Sequence, residues 1–141
     1  MNCLFCQLIN GKIPSHKVYE DEHTFAFLDI NPAISGHTLV IPKKHYLNIN
    51  DIPGTELCKV MSTVKKISEV LLKLNEGVNI IQNNGQKAGQ IIEHLHFHII
   101  PRNTNDQIKI EVWEPKKYSE DEITKTLNNL KDTLNQQVAV A

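Results

Sequence analysis

Cysteine is scarce in this chain of 141 residues, which has three, and an odd count argues against a disulfide framework. No run approaches about 18 consecutive apolar residues, so the sequence predicts no membrane-spanning helix and no membrane partner. The first residues also lack the basic segment, apolar run and small-residue cleavage site of a signal peptide. Together these absences predict a cytoplasmic protein.

A large net charge is missing as well, because 15 basic and 16 acidic side chains give a formal net charge of −1. Partners such as DNA usually require a basic stripe, so no nucleic-acid partner is expected. A single phosphorylated small molecule is not excluded, since a few local donors are enough to bind it. The length and the 40% hydrophobic content are those of one ordinary globular domain.

Hydrophobic spacing predicts an α+β fold with one long helix, which starts at an N-cap on Thr55 and ends near residue 74. Ser119 and Glu122 form the pattern of a capping box, which predicts a final helix to about residue 135. A short first helix is expected over residues 4–10. The predicted strands cover residues 18–20, 24–29, 37–42, 78–82 and 91–100. Their short connections favour a largely antiparallel sheet of about five strands.

Three histidines alternate with apolar residues in the last predicted strand, at positions 94, 96 and 98. Alternation on a strand places Leu95, Phe97 and Ile99 on the core face and the three imidazoles together on the other. One ion bound by all three is disfavoured, because His94 and His98 would lie roughly 13 Å apart along the strand. Adjacent histidines could still share an ion. Nucleophilic catalysis is the other interpretation, since imidazole is mostly neutral at neutral pH.

The segment His94-Leu95-His96-Phe97-His98-Ile99-Ile100 resembles the signature of the histidine triad (HIT) family. The first half of the chain adds Phe27-Leu28-Asp29-Ile30, Gly36-His37 and Val40-Ile41-Pro42-Lys43-Lys44-His45, in the expected order. Asn83, Gly85 and Ala88-Gly89-Gln90 complete the second half. The resemblance covers residues 3–102 and is greatest to the bacterial, Hint-like branch.

The resemblance implies a covalent mechanism on a nucleotide. In the family the middle histidine attacks the α-phosphate and forms a nucleotidyl-histidine that water then cleaves, and this role falls on His96. The third histidine contacts the phosphate and assists the leaving group, a role that falls on His98. An upstream histidine that orients the nucleophile corresponds to His37.

A nucleoside pocket is implied in the same way, with Asp29 at the ribose hydroxyls and Ile30 beside it. Backbone N–H groups of the Gly-rich turn are placed to meet charge on the phosphate. One departure is Ile91, where relatives often have serine or threonine, so a hydroxyl donor is lost. The expected pocket residues are the apolar side chains Phe5, Ile13, Phe27 and Leu39, the polar Asn83, and the turn residues Gly89, Gln90 and Ile91.

Cys3 and Cys6 have a spacing that suits two thiolates on one zinc ion, although a single pair is a weak signal. The resemblance adds His45 and His94 as the remaining ligands. Such a four-ligand site would be closed and structural, with no open position for substrate. We therefore expect a structural zinc ion and no organic cofactor.

The predicted organisation is a HIT domain at residues 1–105 and an extension with a helix at residues 106–141, packed on the same domain. The resemblance also implies a homodimer. The leading function is hydrolysis of a purine nucleoside phosphoramidate or a related nucleotidyl conjugate. One alternative is a dinucleoside polyphosphate hydrolase, and another is a nucleotide-binding or protein-interaction module.

Overall fold

Over the residues that the structure describes, the chain builds one antiparallel sheet of five strands with three α-helices, which confirms the predicted α+β class. The structure is a computed structural model that describes residues 2–110 and 113–140. Its elements are α1 (Leu4–Ile9), β1 (Lys17–Glu20), β2 (Thr24–Leu28), β3 (Thr38–Pro42), α2 (Gly54–Leu74), β4 (Gly77–Ile81), β5 (Phe97–Arg102) and α3 (Glu120–Val140). No helix in these described ranges is long and apolar enough to cross a membrane.

The strand order is β1-β2-β3-β5-β4, and each neighbouring pair is antiparallel. The last strand in sequence therefore lies inside the sheet, between β3 and β4. Its two neighbours therefore pair with both of its edges, and most of its residues are buried.

The two faces of the sheet are covered by different elements. Helix α2 packs its apolar stripe, which includes Val60, Val64 and Ile67, against one face. Strand alternation turns Phe25 and Phe27 to the opposite face, where Phe5 of α1 joins them in a second cluster. This second cluster supports the histidines described below.

Strand β5 begins at Phe97, so the prediction of a strand from residue 91 is wrong. The segment before it bonds to a loop instead of a neighbouring strand, and the Leu95 N–H donates to the Tyr46 carbonyl at 2.7 Å. The predicted alternation nevertheless survives, because Leu95, Phe97 and Ile99 all lie in the cluster beneath α2. The prediction of Thr55 as the N-cap of α2 is also wrong. The helix starts at Gly54, its N-cap is Pro53, and Thr55 lies inside the first turn.

The described chain divides into two compact units, Met1–Ile108 and Lys109–Ala141. The second unit contains α3, and the predicted capping box is confirmed: the Ser119 N–H donates to Glu122 Oε2 at 2.8 Å, and Ser119 Oγ accepts the Glu122 N–H at 3.3 Å. Packing of the extension on the first unit stays a prediction. Residues 111, 112 and 141 of that extension lie outside the described residues.

Candidate active site and metal centre

Three paired strands form an apolar floor under the third histidine. Phe27 pairs with Leu39, and Leu39 pairs with His98, so the three side chains lie in one row across the sheet. Phe27 and Leu39 are buried, and the ring of Phe5 packs edge-on against Phe27 with centroids 5.4 Å apart. The Phe5 ring also contacts His96 at 5.3 Å. Three of the four predicted apolar residues, Phe5, Phe27 and Leu39, thus pack beside the histidines as part of the core.

The backbone fixes the tautomer of His96. Its Nδ1 lies 2.6 Å from the His94 carbonyl oxygen, which only accepts hydrogen bonds, so Nδ1 carries the proton. The other ring nitrogen, Nε2, therefore keeps its lone pair. The side chain is 7% exposed, and burial lowers the pKa of His96, so the neutral form is favoured. His96 is thus held in the form that a nucleophile needs.

A hydrogen-bond chain fixes the tautomers of the other two histidines. The Ala33 N–H donates to His37 Nδ1 at 3.0 Å, so the proton of neutral His37 is on Nε2. That nitrogen lies 2.9 Å from His98 Nδ1 and donates to it. The proton of neutral His98 is therefore on Nε2, where it can be given to a ligand. The rings of His96 and His98 are adjacent, with centroids 5.0 Å apart.

Asp29, which the sequence predicted as a ribose ligand, lies beside His37 and His98. Its Oδ1 accepts the Asn31 N–H at 2.9 Å, which orients the carboxylate. Its Oδ2 is 3.6 Å from His37 Nε2 and 4.0 Å from His98 Nδ1. The sequence predicted Asp29 only as a ribose ligand, and the structure adds this second environment.

We expect His98 to stay neutral well into the acid range. Burial, reinforced by His96 and His37, lowers the pKa of His98 to about 4, against about 6.5 for free imidazole. The unfolded chain therefore binds a proton between these values that the folded chain does not. His98 contributes stability that is fully present above about pH 6.5 and is lost as the pH falls through about 4.

Nitrogen-15 NMR of the imidazole ring checks this expectation directly. The His98 signals should report a neutral ring at pH 5 and a midpoint close to 4. A His98→Gln variant serves to assign the signals. A midpoint at or above 6.5 would contradict the burial argument.

The Gly-rich turn differs from the predicted phosphate cradle. Residues Gln86–Ala88 form a single 3₁₀ turn that is closed by its own backbone bonds. The Gly89 N–H donates to the Gln86 carbonyl at 3.0 Å, and the Gln90 N–H donates to the Gly85 carbonyl at 3.1 Å. Two of the three predicted N–H donors are therefore already used in this structure, and the N–H of Ile91 is the one that remains among them.

The side chains around this turn differ in their contacts and exposure. Gln90 is buried and braces the loop, because its amide donates to the Leu47 carbonyl at 2.7 Å and its Oε1 accepts the Gly85 N–H. Asn83 borders Gly89, where an added Cβ would meet its Nδ2 at 3.5 Å. Ile91 is 88% exposed and lines an open cleft with Glu93. The other expected pocket residues are less buried than the core: Ile30 is 76% exposed and Ile13 is half-buried.

Four potential metal ligands converge at the opposite end of the histidine segment. Cys3, Cys6, His45 and His94 each offer a ligand atom, and all four atoms lie within 4.8 Å of one another. Tetrahedral zinc with its usual bond lengths separates sulfur from nitrogen by roughly 3.5 Å and nitrogen from nitrogen by roughly 3.3 Å. The observed separations are 3.5 Å for Cys3 to His94, 3.5 Å for Cys6 to His45, and 3.2 Å between the two imidazoles. The ligand set fits a tetrahedral ion.

The tautomer of His94 also suits a ligand. His94 Nε2 donates to the Pro42 carbonyl at 2.8 Å, which leaves the lone pair of Nδ1 directed at the cluster. Such a carbonyl partner is typical of a metal-bound histidine. Burial and the neighbouring Cys3 raise the pKa of Cys6, so the thiol form is favoured until a cation supplies positive charge.

Asp29, His37 and His98 also converge within 4.8 Å, but their hydrogen bonds disfavour a metal. His37 Nδ1 already accepts the Ala33 N–H, so its Nε2 carries a proton and has no free lone pair. The two clusters therefore differ in chemistry: one is arranged for ligation and the other for sharing protons. Sequence reasoning missed both backbone groups that make this difference, the Ala33 N–H and the Pro42 carbonyl, because no residue type signals them.

The fold and the site define an α+β protein whose functional centre is built from histidines. A family model described as the HIT domain matches residues 10–105, and the chain belongs to this histidine triad family. A HIT-like protein of Methanocaldococcus jannaschii is 52% identical over 126 residues, which are 89% of this chain and 98% of that protein.

Two further relatives have names that state an activity. An adenosine 5'-monophosphoramidase of Candida albicans is 38% identical over 140 residues, and the match covers 94% of this chain and 91% of that protein. An adenylylsulfatase of Arabidopsis thaliana is 41% identical over 107 residues, which are 74% of this chain and 54% of that protein.

Solved structures agree on the fold. A HIT family protein of Bacillus subtilis has a TM-score of 0.88 at 39% identity, covering 94% of this chain and 96% of that one. A zinc-bound histidine triad protein of Mycobacterium smegmatis has a TM-score of 0.75 at 30% identity, covering 97% of this chain and 98% of that one.

Proposed function

We propose that this protein hydrolyses a purine nucleoside phosphoramidate, or a related nucleotidyl conjugate, through a covalent nucleotidyl-histidine on His96. The observation that carries the proposal is the fixed tautomer of His96, whose Nδ1–H donates to the His94 carbonyl at 2.6 Å. Two relatives whose names state hydrolysis of adenylyl conjugates support it.

In the first step His96 Nε2 attacks the α-phosphorus, and the bond from phosphorus to the leaving nitrogen breaks. The departing amine needs a proton, because an amide anion is a very poor leaving group. His98 is neutral in the free protein, but the negative charge of a bound phosphate would raise its pKa. It would then enter this step protonated and give its Nε2 proton to the nitrogen, as a general acid. The amine leaves, and the nucleotide remains bonded to His96.

In the second step water attacks the same phosphorus. His98 is now neutral, and its Nε2 takes the proton that the water loses. The bond from phosphorus to His96 Nε2 breaks, which releases the nucleoside monophosphate and restores His96. His98 ends the cycle protonated again, so the net reaction consumes one water molecule. Splitting the displacement in two gives each step a positioned nucleophile.

The nucleoside would lie beside the exposed Ile30, at the edge of the buried cluster formed by Phe5, Phe27 and Leu39. The Asp29 carboxylate is oriented by the Asn31 N–H and would accept the ribose hydroxyls. This arrangement favours a nucleotide over a free phosphate ester, because only the nucleoside reaches both surfaces.

A panel of three substrates tests the proposal. We expect the highest kcat/KM with adenosine 5'-phosphoramidate, and lower values with adenosine 5'-phosphosulfate and a dinucleoside polyphosphate. Phosphorus-32 in the α-position, followed by a denaturing quench at high pH and peptide mapping, should label His96 and no other histidine. The label is expected to disappear in a His96→Ala variant.

The other functions predict different results. Preference for the dinucleoside polyphosphate would assign the chain to that branch of hydrolases. Tight nucleotide binding with no turnover of any of the three substrates would favour a binding module. Transfer of label to a residue other than His96 would contradict the assigned nucleophile.

We further propose that Cys3, Cys6, His45 and His94 hold one structural zinc ion. The ion would stabilise the N-terminal segment against the loop after β3 and has no assigned contact with substrate. The homodimer implied by the family resemblance, the cytoplasmic location and the absence of a nucleic-acid partner stay predictions.

A further inference from the structure

The hydrogen bonds of His37 and His98 fit two neutral rings but leave no acceptor for an additional proton on His98. In the neutral pair, Ala33 donates to His37 Nδ1, and His37 Nε2–H donates to His98 Nδ1. Both Nδ1 lone pairs are therefore occupied by donors. A proton added at His98 Nδ1 would face the N–H of His37 across 2.9 Å, and two donors would then oppose each other.

A carboxylate oxygen lies where this additional donor needs an acceptor. Asp29 Oδ2 is 3.6 Å from His37 Nε2 and 4.0 Å from His98 Nδ1, so a small shift brings either N–H into hydrogen-bond range of about 2.7–3.2 Å. The Asp29 side chain is 16% exposed, and its Oδ1 is already bonded to Asn31, so Oδ2 is the oxygen directed at the pair.

We propose that Asp29 is a positioning residue for the catalytic proton, in addition to its expected contact with ribose: it accepts the Nδ1–H of His98 whenever that ring is protonated. His98 then keeps its Nδ1 proton on Asp29 while its Nε2 gives a proton to the leaving amine and takes one from water. A carboxylate has about four lone-pair sites, so Asp29 can serve the ribose hydroxyls at the same time.

The charge of Asp29 acts in the same direction as this geometry. Burial lowers the pKa of both His37 and His98, whereas the Asp29 carboxylate raises it. The phosphate of a bound substrate adds a second negative charge near the pair. The pKa of about 4 in the free protein already includes this effect of Asp29, so protonation of His98 for the first step would depend on the added charge of the substrate phosphate, with Asp29 accepting the Nδ1–H.

Histidine titration by NMR tests the proposal without any turnover. In an Asp29→Asn variant the His98 midpoint should fall below that of the unchanged protein, both in the free protein and with AMP bound. The asparagine still accepts the Asn31 N–H, so the loop is preserved. Glu69→Gln, which removes one charge on an exposed face of α2, is the matched control. An unchanged His98 midpoint in Asp29→Asn would overturn the proposal.

Kinetics with substrates that differ in the ribose hydroxyls separates the two roles of Asp29. This experiment rests on the proposed function. Adenosine 5'-phosphoramidate is compared with its 2',3'-dideoxy analogue. If Asp29 acts only through ribose, Asp29→Asn causes no loss on the dideoxy substrate. We expect instead a loss in kcat on both substrates, about tenfold for each unit by which the His98 pKa falls.

A substrate whose leaving group needs no proton separates the proton role of Asp29 from a general effect on catalysis. Release of nitrophenolate from the 4-nitrophenyl ester of AMP in the first turnover should be nearly insensitive to Asp29→Asn. Equal losses with this ester and with the phosphoramidate would overturn the proton role. If the unchanged protein turns over none of these compounds, the proposed function fails, and the NMR titration still decides the role of Asp29.

Discussion

Replacing His96 with glycine should lower kcat for the phosphoramidate by about 10⁴-fold or more, as expected when a covalent nucleophile is removed. Nucleotide affinity should stay close to that of the unchanged protein. The physical reason is that, in the proposed mechanism, His96 Nε2 forms the bond to phosphorus, whereas other residues, among them Asp29, would bind the nucleoside. Steady-state assays measure kcat, and calorimetry with AMP measures the nucleotide affinity.

Addition of free imidazole makes this experiment more specific. The glycine variant leaves a space lined by Phe5 and His98, and an imidazole molecule of the same shape as the lost ring could enter it. Partial recovery of turnover, with release of nucleotidyl-imidazole, would show that the ring itself supplies the nucleophile. His16→Gly is the matched control, since His16 is an exposed histidine. Wild-type kcat in the His96→Gly protein without imidazole would refute the assignment.

Stability must be measured alongside kcat in this variant. His96 is buried against Phe5, so the glycine removes packing as well as chemistry. A core cavity of this kind commonly costs a few kcal/mol, on the order of 2–5 for large side chains. Loss of folding would lower activity and affinity together. Only loss of kcat with AMP binding retained supports the nucleophile.

The sequence predicted the fold well because its signals are periodic. The 3.6-residue repeat of α2 and the two-residue alternation of Leu95, Phe97 and Ile99 both correspond to the buried clusters. The strand boundary at Phe97 could not be predicted in this way. Residues 94–96 continue the alternation of the strand, but the Leu95 N–H bonds to the Tyr46 carbonyl in a loop, and that choice depends on tertiary contacts.

The same contrast between sequence patterns and tertiary contacts applies to the candidate site. Residue types and spacing indicated which histidines to consider, and the structure places the four potential metal ligands together and His37 and His96 on either side of His98. His37 was predicted to orient the nucleophile His96, but its hydrogen bond is to His98. The chemistry of each histidine is set by a backbone group: the His94 carbonyl for His96, the Ala33 N–H for His37 and the Pro42 carbonyl for His94. Every residue has such groups, so no sequence pattern distinguishes the ones that matter. The Gly-rich turn illustrates the reverse case, because its N–H groups were expected to be free and two of them are used internally.

Removal of the proposed zinc ion should destabilise the protein strongly, which is the second large effect that we expect. If free zinc exceeds its dissociation constant about 1,000-fold, binding contributes about 4 kcal/mol to the free energy of unfolding. For a chain of this size that corresponds to a fall in Tm of roughly 10 °C on chelation. Differential scanning calorimetry with and without a chelator measures the shift, and mass spectrometry of protein purified without an affinity tag gives the zinc content.

Cysteine variants provide the controls for this experiment. Cys3→Ser and Cys6→Ser should start with the lower Tm and show no further fall when chelator is added. Cys58→Ser, at an exposed cysteine of α2, should keep both the higher Tm and the response to chelator. A chelator-insensitive Tm in a protein that contains less than about a tenth of an equivalent of zinc would remove the metal from the proposal.

His94 connects the candidate metal centre to the proposed nucleophile, so removal of the proposed zinc ion should also lower kcat. The His94 side chain faces the cysteines, and its backbone carbonyl holds the Nδ1–H of His96 at 2.6 Å. Without the ion, the His94 backbone loses one of its restraints, and the tautomer of His96 is less well fixed. We therefore expect chelation to reduce kcat at temperatures where the protein remains folded, with little change in affinity for AMP. An unchanged kcat in folded, zinc-free protein would show that the carbonyl alone, supported by the Pro42 contact, is sufficient to orient the nucleophile.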